Sequence, residues 1–152
     1  MVFDGDSFIF HPAPEVARAR RVLIKPFADS VQPYPATTHR LTLATLIDGI
    51  RRISEADIIL LEGANSWGPA TARFRELGYS FPRVITLDVA DCPLVEVENP
   101  LPKPFALASV WVPNVLLSCD YLISVTPFRM GPGGPHLSVG NLLGLLPASK
   151  YA

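Results

Sequence analysis

The segment Asp57-Ile58-Ile59-Leu60-Leu61-Glu62 constrains the fold of this chain more than any other. Four consecutive apolar residues, two of them β-branched, stand between two carboxylates. The run has no alternation, so whatever it forms must be covered on both faces, and it is too short for a buried helix. A strand inside a parallel sheet meets both conditions. Parallel neighbours need crossovers of a dozen or more residues, usually helical. The chain therefore has to supply further short apolar runs separated by helix-forming stretches.

It does. Arg21-Val22-Leu23-Ile24-Lys25 is stopped by Pro26, and Val84-Ile85-Thr86-Leu87-Asp88 and Tyr121-Leu122-Ile123-Ser124-Val125 are core runs of the same kind. The clearest helical pattern lies between the first two runs. Thr37 or Thr38 is placed to cap it. Leu41, Ala44, Leu46, Ile47, Ile50 and Ile53 form its apolar stripe, and it ends near Ser54. A second helix carries Ala72, Phe74, Arg75 and Leu77 and stops at Gly78. Strand–helix–strand–helix order predicts an α/β fold, a three-layer arrangement in which a mostly parallel sheet is flanked by helices. Leu94–Glu98 alternates and pairs with residues 106–112 as a small antiparallel edge hairpin. Residues 115–119 form one helical turn, residues 131–135 a stiff glycine–proline loop, and residues 136 to about 146 an apolar helix.

Composition narrows the class. At 152 residues, 49% hydrophobic and 18% charged, the chain reads as a single α/β domain over residues 1–152. Thirteen Lys and Arg against 14 Asp and Glu give a net charge of -1, without the basic excess that nucleic acid or an anionic membrane demands. Sixteen prolines fall between the apolar segments and stiffen the loops. Residues 105–125 have the length of a membrane span, but Pro113-Asn114 and Asp120 divide them into two strands and a turn. Cys92 and Cys119 show neither a C-x-x-C pair nor a zinc spacing, and so read as reduced, buried thiols. With no secretory signal in the acidic opening residues, a cytoplasmic location is expected.

In open parallel sheets, ligands bind beyond the carboxyl ends of the strands. That rule selects Lys25, Glu62, Asp88 and the segment after Val125. Lys25 either holds an anion or simply reaches solvent from a strand end. Glu62 and Asp88 either share acid–base or binding work or cap the loops that follow. Thr37, Thr38 and His39 open a helix, where free N–H groups suit an anion or serve an ordinary cap. His39 is an acid–base candidate by residue type, with Glu62 its best spatial partner. Arg129 and the loop at 131–135 offer an anion cradle or a rigid connection; the Gly-Lys-Ser/Thr ending of a P-loop is absent. Asn141, flanked by leucines, must find a partner for its amide. No residue set has the spacing of a metal site.

Several of these points carry a family resemblance. Val22-Leu23-Ile24-Lys25-Pro26, Ala36-Thr37-Thr38-His39, Glu62-Gly63, Gly78-Tyr79, Leu87-Asp88, Cys119-Asp120-Tyr121-Leu122-Ile123 and Gly140-Asn141-Leu142-Leu143-Gly144-Leu145-Leu146-Pro147 follow one another in the order of domain-of-unknown-function family 362 of bacteria and archaea. The resemblance runs from about Arg21 to the last residue. It implies an α/β fold and association with redox proteins, since many members carry ferredoxin-type iron–sulfur modules. This chain has no such module, and its two cysteines cannot hold a four-thiolate cluster. Phe27 stands where the family has Asn, and Gly140 where it has Lys. Residues 127–131 keep only Arg129 of a Lys-x-Lys-Thr-His segment. The chain also stops where a typical member continues, as a short member or the N-terminal part of a larger fold would.

Two functions follow as expectations. In the first, the domain binds a small anionic molecule at the carboxyl ends of the strands, with His39 and Glu62 as catalytic candidates and Lys25, Thr37, Thr38, Asp88, Arg129 and Asn141 as ligand contacts. No cofactor is evident, and the reaction is open. In the second, the site is degenerate and the domain works through an apolar interface, as a homodimer or with a partner.

Overall fold

The four apolar runs lie side by side as parallel strands. In a computed structural model, which describes residues 8–63, 65–103, 106–131, 134–136 and 138–151, the chain forms β1 (Arg21–Pro26), α1 (Arg40–Arg51), β2 (Asp57–Glu62), α2 (Ala70–Glu76) and β3 (Val84–Asp88). There follow β4 (Leu94–Glu98), β5 (Ser109–Pro113), α3 (Asn114–Leu117), β6 (Tyr121–Val125), β7 (Arg129–Gly131), β8 (Gly134–His136), α4 (Ser138–Asn141) and α5 (Ala148–Tyr151). Single 3-10 turns at Val89–Asp91 and Leu142–Leu145 link some of these elements.

The main sheet has the order β3-β2-β1-β6, parallel throughout. The chain steps from β1 to β2 to β3 in one direction and then places β6 on the far side of β1. The order therefore reverses at β1, which creates a crevice beyond the carboxyl ends of β1 and β6.

Alternation along the inner strands sorts their side chains between two cores. Val22, Ile24, Ile58 and Leu60 pack under Leu43, Leu46, Ile47 and Ile50 of α1, with Phe74 of α2 and Tyr79. Leu23, Ile59 and Leu61 face the other way, against Val89, Val115 and Leu145. One face thus carries a full helix. Among the described residues, the other carries single-turn helices and 3-10 turns. The edge strands β3 and β6 leave Ile85 and Leu122 exposed.

Four expectations need correction. The buried stripe of α1 runs through Leu43, Leu46, Ile47 and Ile50, while Leu41 and Ile53 face solvent; the spacing i, i+3, i+4, i+7 admits only one of the two leucines at 41 and 43. The β4–β5 hairpin forms its own two-stranded sheet and does not extend the edge of the main one. The loop expected at 131–135 belongs to a hairpin, because β7 and β8 pair antiparallel around it; residues 132 and 133 lie outside the described residues. The single helix expected at 136–146 is α4 followed by a 3-10 turn. Gly140 and Gly144 weaken a helix there, and Pro147 bars its continuation. Among the described residues, no helix is long and apolar enough to cross a membrane.

Candidate functional site

Lys25 is the next-to-last residue of β1, and its side chain shares the Leu23 face. It does not leave the protein. The ammonium lies 2.6 Å from Oε1 and 2.7 Å from Oε2 of Glu62, and the two side chains are 2% and 6% exposed. Lys25 Nζ also donates to Pro26 O at 2.9 Å and to Asn141 Oδ1 at 3.0 Å. Burial pushes the lysine pKa below its ordinary value, and the charge and hydrogen bond of Glu62 oppose that push. Glu62 in turn accepts the backbone N–H groups of Ala28 and Gly63, each at 3.0 Å. Its carboxylate thus accepts hydrogen bonds from three donors.

Asn141 closes the arrangement. Its Nδ2 donates to Lys25 O and to Ser124 Oγ, each at 3.1 Å, so one amide joins the ends of β1 and β6. The turn that follows brings Gly144 over the ion pair. A Cβ on Gly144 would stand 3.1 Å from Glu62 Oε1 and 3.2 Å from Lys25 Nζ, and one on Gly63 would meet Gly144 O at 2.6 Å. Gly63 needs glycine because two backbones approach so closely there, whereas a side chain at 144 would press on the buried ion pair itself.

Lys25, Glu62 and Asn141 line a cavity of about 320 Å³ beyond the carboxyl ends of β1, β2 and β3, together with Phe27, Asp29, Val89, Leu94 and Leu146. Among the described residues, Lys25 is its one cationic lining residue. Arg129 stands at the rim, 4.5 Å over the Phe27 ring and 3.9 Å from Asp29.

The remaining candidates do other work. Asp88 is buried and caps two elements, accepting Ala70 N–H of α2 at 2.6 Å and Ala90 N–H at 2.8 Å. Thr37 and Thr38 do not cap α1. Its N-cap is His39, without a side-chain bond. The Thr37 hydroxyl donates to Gln32 O at 2.7 Å. Thr38 donates to Val125 O at 2.8 Å and accepts Phe27 N–H at 2.8 Å, tying β1 to β6. His39 is exposed, its ring edge-on to Tyr34 at 5.1 Å, and it does not line the cavity. Burial raises the thiol pKa of both Cys92 and Cys119, and their Sγ atoms donate to Asp88 O and Leu116 O. Among the described residues, no three His, Cys, Asp or Glu side chains gather where a metal ion could sit.

Arg73 is the important residue that the sequence reading passed over. It is fully buried, and its guanidinium donates to Ala28 O at 2.7 Å, to Gly63 O at 2.5 Å and to Gly68 O. One side chain thus fixes the loops after β1 and β2, from which both backbone donors to Glu62 come. The signal was present: Ala70, Arg73 and Phe74 share a helical face at i, i+3, i+4. Tyr79 was also missed as a hydrogen-bonding group. Its hydroxyl donates to Thr38 O, and burial raises its pKa to about 12.

No family model, curated protein or solved structure matches the chain, so fold and site stand on these residues and this geometry alone.

Proposed function

We propose that the domain binds a small anion, a carboxylate or phosphate group on a compact molecule, in the cavity beyond β1, β2 and β3, with Lys25 as its charge anchor. The observation that carries this reading is the convergence of Lys25, Glu62 and Asn141, from three separate elements, on one cavity beyond the carboxyl ends of β1, β2 and β3. A volume of about 320 Å³ suits a small metabolite. Apolar walls strengthen the pull of the ammonium on an anion. The Lys-Pro and Asn-Leu elements that carry the resemblance to domain-of-unknown-function family 362 are the two that meet here, and membership in that family is part of the proposal. So is a cytoplasmic setting, which keeps both thiols reduced. His39 has no place in this cavity, and the reading assigns it no catalytic step.

The test is a titration of the labelled chain with inorganic phosphate and with malonate, following the amide signals of Gly63, Ala90 and Ser149. Saturable shifts at these three, absent from the double variant Lys25→Met/Glu62→Gln, support the reading. A folded wild-type chain that shows no saturable shift there by roughly 10 mM, where a millimolar site is mostly filled, rules it out.

A second reading has its own observation. Phe128, Met130, Val139 and Leu143 are all large, apolar and exposed, within 16 residues of one another along the chain. We propose, as the alternative, that they form a homodimer contact. Light scattering decides it: a monomer at about 100 µM excludes any dimer of micromolar affinity.

A further inference from the structure

The hydrogen bonds of Lys25 leave an incoming anion no free donor. An ammonium has three N–H groups, and here Glu62, Pro26 O and Asn141 Oδ1 take all three. A ligand reaches the charge only by replacing one acceptor. Pro26 O belongs to the adjoining residue of the same strand and stays in place. Glu62 is buried and bound by two backbone N–H groups, and pulling it from the ammonium would leave a carboxylate without its counter-charge. Asn141 Oδ1 is neutral, sits on a part-buried side chain and is carried by a four-residue helix. It is the acceptor that can leave.

The segment carrying it, residues 138–151, is built to detach. It has two helices of four residues, too short to stand without tertiary support. Leu145 and Pro147 are its buried side chains. Polar hooks supply much of the remaining hold. Asn141 reaches β1 and β6, Ser124 Oγ donates to Ser138 O at 2.7 Å, and Trp111 N–H donates to Tyr151 Oη at 2.7 Å. Lys150 Nζ lies 4.0 Å over the Trp111 ring. The same segment forms nearly half of the cavity wall.

We infer that residues 138–151 are a gate over the anion site, and that Asn141 is its latch. The gate lifts when an anionic oxygen takes the place of Asn141 Oδ1 on Lys25. This rests on the anion-binding reading above. Asn141 is a positioning residue here: it competes with the ligand for one N–H and holds the wall shut until it loses.

The experiment has two arms. In the first, with no anion added, amide exchange is followed at Leu146 and Lys150, whose N–H groups bond within the segment. Asn141→Ala should speed both about tenfold or more while leaving the amides of α1 unchanged. Ser124→Ala, which removes the two hydrogen bonds of its hydroxyl with Ser138 O and Asn141 Nδ2, should give an increase of the same kind and serves if Asn141→Ala does not fold. Unchanged exchange in both variants overturns the latch. In the second arm, inorganic phosphate is titrated into wild type and Asn141→Ala. Removing the competing acceptor should tighten binding about three- to tenfold, the equivalent of one ordinary hydrogen bond. A residue with only a packing role would weaken binding when removed. Wild type that binds phosphate while the variant binds no more tightly overturns the gate alone. Wild type that binds neither phosphate nor malonate overturns the anion reading and its coupling to the gate, and the exchange arm then decides the latch by itself.

Discussion

Lys25 and Glu62 meet across the ends of β1 and β2 so that one ammonium faces both carboxylate oxygens, at 2.6 and 2.7 Å, with almost no water in reach. Such a pair is costly to split. Lys25→Met should destabilise the fold by roughly 3–5 kcal/mol, because Glu62 would remain charged and buried alone. Adding Glu62→Gln should recover part of that loss. Urea titrations of both single variants and the double one give the coupling energy; strictly additive losses would mean that the two charges do not act as a pair.

The phenol of Tyr79 sets an alkaline limit. It keeps its proton to about 12 because burial disfavours the phenolate, against 10.0 for the free group. Between those values the unfolded chain releases a proton that the folded chain retains. Stability from this group is complete below about pH 10 and falls by roughly 2–3 kcal/mol as the pH rises to about 12. Lys25 has the opposite sign. Its folded pKa lies below 10.5, so stability climbs as the pH rises through that folded value toward 10.5. Tyr79→Phe should abolish the fall and leave the rise. Urea midpoints measured between about pH 9 and 11.5 show this, and an undiminished fall in the variant would place the loss in another group.

Gly63→Ala should lift the covering turn without touching any charged group. Its Cβ would lie 2.6 Å from Gly144 O, a backbone atom that yields only if the turn moves. A loss of about 1–3 kcal/mol is expected, with amide shift changes concentrated at Gly144, Leu145 and Leu146. Changes spread over α1 instead would show that the contact with Gly144 does not govern this position.

Arg73→Lys keeps the charge and loses the fork. Lysine cannot span the three carbonyls at Ala28, Gly63 and Gly68. The expected cost is roughly 2–4 kcal/mol, from buried carbonyls left without donors. It should be accompanied by exchange broadening at Ala28 and Gly63, whose N–H groups serve Glu62. A variant as stable as wild type would show that water or neighbouring groups replace the guanidinium readily.

The strands were legible because they are short and apolar without interruption. The limits of β2, β3 and β6 match the sequence reading. The burial of α1 was less legible, since Leu41 and Leu43 both fit a helical stripe and only packing selects Leu43. The segment after β6 was hardest to read. Its leucines suggest one helix, but Gly144 lies against Glu62, a contact between residues 82 positions apart. The strand-end rule found Lys25 and Glu62, and the leucines around Asn141 marked an amide in need of a partner. The helix-start reading misplaced Thr37 and Thr38 as caps because the Thr38 hydroxyl goes to Val125, 87 residues away, a demand no local pattern shows. Arg73 escaped because an arginine on a helix ordinarily signals the surface.

The position of β6 beside β1 also says when the site comes into being. Arg21 and Asp57 pair across 36 residues, whereas Val22 and Tyr121 pair across 99. Joining distant segments costs more chain entropy and slows their meeting. The β1–β2–β3 wing with α1 can therefore gather first, with Lys25 and Glu62 already in adjacent strands. Ser124 and Asn141 arrive only when the far wing docks. The cavity is thus a seam between an early and a late half of the folding reaction, and a nascent chain would carry an uncovered lysine–glutamate pair until residues 138–151 had emerged.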